Sequence, residues 1–336
     1  MRILLVPKSY LGDTVLSTPV IAGIKHIHPE AQVWMLTNPH AAQIVERDPL
    51  LSGIIHYDKR GVDRGMIGFI RTAAKLRALE INRVYSIHRS YRTAMLLWLS
   101  GIKARVGYAS AHLSGLYTLT VGYDASVHEV ERNLSLLAID GDIRATDTHL
   151  RLFAPQRNAL DNEVAAVLPR PGTYAVLVPG SNWRTKMWPQ EGFRAVAQHL
   201  INRGMPVVLD GAPPHKPLTD KIGKNLDIIN LAGKSSVADA MTIIKDSRLV
   251  VCNDSAALHV ASAFKVPTVA IFCATSPEGG FSPWRNNSAI VVQNRSLTCR
   301  PCGRHGGHRC PEGTDACRHT ISSKMVIEAI SKALER

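Results

Sequence analysis

Acidic residues are scarce in this chain: 27 Asp and Glu stand against 40 Lys and Arg, a formal charge of +13. A surface so short of negative charge attracts anions, whether nucleic acid, acidic lipid or a phosphorylated small molecule. The cations never form a run of five or more, so a basic nucleic-acid tail is excluded. Aromatic residues make up only 6% of the chain and do not cluster, and no nucleic-acid-binding module is recognisable. The expected partner is an anionic small molecule or a membrane surface, and not nucleic acid.

Long hydrophobic runs are lacking too, which removes a transmembrane helix from the expectations. The opening MRILLVPKSYLGDTVLSTPVIAGI is interrupted by Lys8 and Asp13 and reads as a buried strand rather than a signal peptide. A cytoplasmic location follows, with peripheral contact at the inner membrane face as an extension of it. Six cysteines in 336 residues are too few for a disulfide scaffold. Neither a Gly-x-Gly-x-x-Gly fingerprint nor a Walker loop occurs, so the common nucleotide signatures do not apply.

What is present is ordinary globular composition, 45% hydrophobic and 20% charged, at a length suited to two cores. Short apolar runs recur at residues 3–6, 33–36, 175–178, 207–209, 249–252 and 268–272. Such runs are the mark of parallel strands buried on both faces. Helical patterns lie between them, at 19–27, 67–79, 191–202 and 236–245, which gives an α/β class with doubly wound sheets. The series restarts near residue 174, after Pro169-Arg-Pro171-Gly172. We therefore expect domains at 1–170 and 171–321, with an amphipathic helix at 322–336.

Ligands of open parallel sheets bind beyond the carboxyl ends of the strands, and the unusual residues lie there. After the first strand, Lys8, Gly12, Asp13 and Thr14 lead into a helix. Asp13 reads either as a carboxylate facing a cleft or as a helix cap. The stretch Pro179–Pro189 offers Ser181, Asn182, Arg184 and Lys186 at a helix start, with Trp183 and Trp188 as pocket walls. Hydroxyls, backbone N–H groups and a cation gathered there suit a diphosphate. Asp254 and Ser255, with Ala256 and His259 just beyond, repeat the pattern; the plainer reading is that Asp254 caps and His259 packs. His88, Arg89 and Arg92 follow another strand, and Arg89 and Arg92 are candidate anion ligands.

In order and separation, LGDTVLSTP, PGSNWRTKMWP, CNDSAALHVASAFKVPTVAIFCATSP and the CRPC…CP…C tail resemble the bacterial heptosyltransferase family, particularly its type II members. The resemblance covers nearly the whole chain. It implies a GT-B fold: two facing Rossmann-like domains, acceptor on the first and ADP-heptose on the second, with the last helix returning to the first domain. It also implies an inverting transfer, without a divalent metal, of heptose to the inner core of lipopolysaccharide. On that basis Asp13 is the catalytic base and Lys186 offsets charge on departing ADP. Ser181, Asn182, Lys186, Trp188, Asp254, Ser255, Ala256 and His259 bind the donor. Lys8, Gly12, Thr14, Arg89 and Arg92 bind the acceptor.

Ala256 replaces a frequent family Gly, and Asp210-Gly211-Ala212-Pro213-Pro214 lacks the acidic residue that often contacts the nucleotide. These departures keep open another sugar nucleotide, or an inactive nucleotide-binding paralogue. Cys299, Cys302, Cys310 and Cys317, near His305 and His308, have ligand types that suit structural zinc. Their spacing fits neither a ribbon nor a knuckle, and buried or loosely paired thiols are the other reading; no catalytic metal or cofactor is expected. Asp140-Gly141-Asp142 matches the Asp-x-Asp metal motif of other glycosyltransferases but reads as a loop.

Overall fold

A computed structural model describes residues 1–336. The chain divides into two compact units, Met1–Phe153 and Ala154–Arg336. The boundary lies earlier than the 170/171 position expected from the prolines. Residues 154–170 join the second unit because their polar groups are answered there; the Thr242 hydroxyl, for example, donates to the Pro155 carbonyl at 2.8 Å.

In the first unit, β1 (Arg2–Val6), β2 (Gln32–Thr37), β3 (Leu51–His56), β4 (Arg83–Ser86), β5 (Ala104–Tyr108) and β6 (Leu119–Val121) form one parallel sheet. Its order is β3-β2-β1-β4-β5-β6. Helices α1 (Leu11–Ile27), α2 (Pro39–Ala42), α3 (Gly65–Ala78), α4 (Tyr91–Leu99) and α5 (Glu129–Leu134) cover it. Ile3, Leu4 and Leu5 are fully buried, as central parallel strands require.

α1 begins eight residues before the expected start at Pro19, and Pro19 lies inside it. Proline removes one backbone donor from a helix, here the one that would reach Val15. The Thr18 hydroxyl supplies a replacement, donating to the Val15 carbonyl at 2.7 Å.

The second unit opens with α6 (Asn162–Val167) and then repeats the plan. Its strands are β7 (Ala175–Val178), β8 (Val207–Leu209), β9 (Ile229–Asn230), β10 (Leu249–Asn253), β11 (Thr268–Phe272) and β12 (Ala289–Gln293). All pair in parallel, in the order β12-β11-β10-β7-β8-β9. The helices are α7 (Gln190–Asn202), α8 (Lys216–Gly223), α9 (Val237–Lys245), α10 (Ala256–Ala263), α11 (Ala316–His319) and α12 (Ser323–Leu334). Each sheet thus has the 3-2-1-4-5-6 order of a dinucleotide-binding fold.

α12 is built into the second unit. Its apolar face, Val326, Ala329, Ile330 and Ala333, is buried in the core of its own unit, packed on α7, β11 and β12. β11 and β12 supply the apolar surface that this stripe covers.

Candidate active site

Each sheet winds outward in both directions from a central pair, β1 with β4 and β7 with β10. Such switch points open a crevice at the carboxyl ends of the strands. The loops leaving these four strands carry Lys8 and Asp13, His88 to Arg92, Ser181 to Lys186, and Asp254 with Ser255.

In the first unit Tyr10 occupies the N-cap position of α1, and Asp13 lies one turn inside. Asp13 is therefore not the cap. Its side chain is only 10% exposed, with the carboxylate 3.4 Å from Lys8 Nζ. That ammonium also pairs with Glu129, which pairs in turn with the fully buried Arg132. Buried charges are tolerated when paired and hydrogen-bonded, and Arg132 is further bonded to the carbonyls of Ala125 and Val127. α5 thereby fixes the Lys8 ammonium beside Asp13.

A pocket in the same unit is lined by Lys8, Ser9, Thr37, Asn38, Lys59 and His88 among others, with no carboxylate. Lys59 makes no ion pair; it lies 5.9 Å above the Tyr57 ring. Burial, and then Arg92 and Arg60, hold its ammonium below the ordinary lysine range. His88 Nδ1 is 2.8 Å from Thr93 Oγ1. Burial, helped by Lys59 and Lys8, pushes its imidazole down to about 4. Thr37 Oγ1 is buried without a partner. Donors, with Lys59 as a cation that no carboxylate neutralises, are suited to an anionic group.

In the second unit Gly180 lies just past β7, where a Cβ would fall 2.2 Å from the His215 ring, so no larger residue fits without a shift. Lys186 follows in a single turn of 3-10 helix and is nine-tenths buried. Its ammonium sits 2.6 Å from Asp254 Oδ2, and the Thr275 hydroxyl donates to the same oxygen at 2.7 Å. Lysine has three N–H donors, so two remain for a ligand. Ser255, not Asp254, holds the N-cap position of α10; it makes no cap bond and its Oγ has no partner. A free hydroxyl, the unsatisfied N–H groups of a helix start and a fixed ammonium form an anion site. His259, one turn along α10, is buried with its ring 6.4 Å from that of Phe281.

Residues 69–308, more than half of the chain, match the model of glycosyltransferase family 9 (heptosyltransferase). The chain belongs to glycosyltransferase family 9. It is 27% identical over 293 residues to lipopolysaccharide heptosyltransferase 3 of Escherichia coli K12, covering 83% of this chain and 84% of that protein. It is 26% identical over 313 residues to lipopolysaccharide heptosyltransferase 2 of Salmonella typhimurium, covering 87% and 88%. Types II and III therefore match at nearly equal identity. The solved structure of E. coli ADP-heptose lipopolysaccharide heptosyltransferase II superposes with a TM-score of 0.80 at 23% identity, covering 100% of this chain and 99% of that one. The fold is accordingly GT-B, and the protein is a glycosyltransferase.

Several expected positions sit differently in this family 9 enzyme. Trp188 does not wall a donor pocket: it is a core residue, 2% exposed, whose Nε1–H donates to the Ile321 carbonyl at 2.9 Å. The more accessible indole of the loop is Trp183, its ring tilted against that of His308 with centroids 4.9 Å apart. Thr14 is fully buried and its hydroxyl turns back to the Tyr10 carbonyl. Arg89 stacks at 4.0 Å on Tyr123 and donates to Ser110; Arg92 donates to the Tyr57 hydroxyl and the Gly65 carbonyl. Both guanidiniums are already engaged. Gly12 lies in the first turn of α1, Ser181 Oγ accepts from the Trp183 N–H, Asn182 is exposed, and Ala256 opens α10.

All six cysteines are free thiols, and no three His, Cys, Asp or Glu side chains are grouped as a metal site. Cys299 is exposed and Cys317 buried, with the Cys317 thiol pushed up to about 11 by burial and then by Cys302 and Cys310. Asp140 is clamped by Arg83 and the Tyr85 hydroxyl, and Asp142 by Arg144. Glu129, Lys59 and Thr37 are functional candidates that the sequence did not single out, whereas Thr275 lay within one of its motifs, as a hydroxyl just past the end of β11.

Proposed function

We propose that this enzyme transfers heptose from ADP-heptose to an anionic inner-core acceptor of lipopolysaccharide, by inversion and without a divalent metal, at the cytoplasmic face of the inner membrane. The observation that carries this reading is the Lys186–Asp254–Thr275 cluster beside the unpartnered Ser255 hydroxyl at the start of α10. Such a site suits the diphosphate of a nucleotide sugar. Asp13, one-tenth exposed beside Lys8, suits a general base. It takes the proton of the acceptor hydroxyl as that oxygen attacks the anomeric carbon. The bond from that carbon to the diphosphate breaks, ADP leaves with the electron pair, and single displacement inverts the centre. Lys186 offsets the charge appearing on the leaving diphosphate. The carboxylates of the Asp-x-Asp stretch are engaged by arginines, so the cationic role rests on Lys186.

On the acceptor side the pocket of Lys59, Thr37 and Asn38 suits a carboxylate or phosphate of the acceptor, with Lys8, Arg89 and Arg92 of the same unit adding positive field. A second reading has one supporting observation. Asp210, at the end of β8, is buried and bonded to the Ser235 hydroxyl, which leaves no carboxylate in that loop for a nucleotide ribose. A different nucleotide sugar fits that feature as well. Profiling transfer from a panel of nucleotide sugars decides between them: ADP-heptose as the preferred donor supports the first reading, and preference for another nucleotide sinks it.

A further inference from the structure

Six of the twelve large apolar side chains left exposed in the first unit lie on two helices. On α3, Met66, Ile67 and Ile70 are exposed, Ile67 to 82%. On α4, Tyr91, Met95 and Trp98 are exposed at the spacing i, i+4, i+7, which places them on one helix face. The two helices pack on each other, and the Arg77 guanidinium of α3 donates to the Leu99 carbonyl at the end of α4. Contiguous exposed apolar surface of this kind marks an interaction site.

The surrounding charge says what kind. Residues 64–123 contain nine Lys and Arg and a single acidic residue, Glu80, itself beside Arg2. Arg71 and Lys75 lie on the exposed face of α3 among its apolar side chains. Arg71 is paired with the buried Asp63, and the remaining charge beside these side chains is cationic; aliphatic and Trp or Tyr side chains on a helix face in such surroundings are what an interfacial helix presents to anionic lipid. No helix of the chain is long and apolar enough to cross a membrane. Position agrees with composition: α3 and α4 both begin at loops leaving the carboxyl ends of β3 and β4, the edge of the sheet that also holds the Lys59 pocket.

We infer that the α3–α4 face of the first unit is the surface by which the enzyme docks on an anionic lipid bilayer, presenting the acceptor pocket to substrates anchored there. This rests on the proposed function for its biological sense, but its test does not. Full-length wild type and the variants Ile67→Glu, Trp98→Glu and Val167→Glu would be sedimented with phosphatidylcholine vesicles, with and without phosphatidylglycerol, at low and high salt. Val167 is an exposed residue of α6 in the second unit and serves as control. The expected result is binding to the anionic vesicles alone, released by salt as screened charge requires. Ile67→Glu and Trp98→Glu each weaken it about tenfold or more, with Val167→Glu unchanged.

Equal binding by all four proteins, or binding to neutral vesicles that salt does not affect, overturns the proposal. So does a lipid-free dimer that Ile67→Glu dissolves, which would show a second copy covering the face. Circular dichroism confirms folding, and transfer to an acyl-free, water-soluble acceptor should be the same in Ile67→Glu and Trp98→Glu as in wild type. Loss of that transfer in the variants would show a damaged acceptor pocket rather than lost docking. Absence of transfer in wild type would count against the proposed function and leave the vesicle result standing.

Discussion

Asp13 has a charged neighbour in Lys8. Its carboxylate shares Lys8 with Glu129, so the lysine is held in place by one acid while the other remains able to accept a proton. Asp13→Asn keeps the shape and removes the base. Transfer should fall by about 10²–10⁴-fold, with ADP affinity unchanged by calorimetry, because the donor cluster belongs to the other unit. His88 titrates far from its usual value and so links stability to pH. Its folded value, about 4, lies below the 6.5 of the free side chain, so the unfolded chain takes up the proton first. Stability held by the neutral ring is complete above about pH 6.5 and is lost as pH falls from there through about 4, up to about 3 kcal/mol. Urea unfolding at pH 7 and pH 4.5 should show this loss in wild type and a smaller one in His88→Gln. Asp13 and Lys186 were legible in the sequence because both follow buried apolar runs closely. Lys59 and Glu129 were not: Glu129 meets Lys8 across 121 positions of chain, and a Glu and an Arg three apart on a short helix look like a solvated face.

At the scale of elements, the strands were the most legible part, since buried parallel strands are continuous apolar runs with no competing period. Helix limits were harder to read. Pro19 marked a start for α1 that the structure does not use, because the Thr18 hydroxyl replaces the missing donor. The same hydroxyl accepts the Arg151 N–H at 2.9 Å, so Thr18→Val should cost about 1–3 kcal/mol in urea unfolding, although the change keeps the side chain's shape. α12 was legible as an amphipathic helix, but not its partner, for a hydrophobic stripe does not name the surface it covers. Ile330 is 2% exposed in the second-unit core. Ile330→Ala should cost about 2–5 kcal/mol, and an intrinsic fluorescence transition should report it through the adjoining core, where Trp188 is buried.

For the whole molecule, the repeated strand order sets where chemistry can happen: two sheets of one plan place two switch points, and Lys8, Asp13, Lys186, Asp254 and Ser255 all lie in loops or first turns leaving the strands that form them. The excess of positive charge was legible at once, but its concentration in residues 64–123 gained meaning only when the fold put Tyr91, Met95 and Trp98 on one exposed face. Because Lys186 carries the cationic role, transfer should survive EDTA treatment unchanged; loss of turnover with chelator, restored by magnesium, would contradict that part of the mechanism. The most direct test of the central claim is transfer from ADP-heptose to a series of Kdo-lipid A acceptors, comparing wild type with Asp13→Asn. The account expects heptose on the acceptor with wild type and near-complete loss with the variant while ADP still binds. ADP binding with no transfer by wild type to any acceptor, or equal transfer by both proteins, would contradict it.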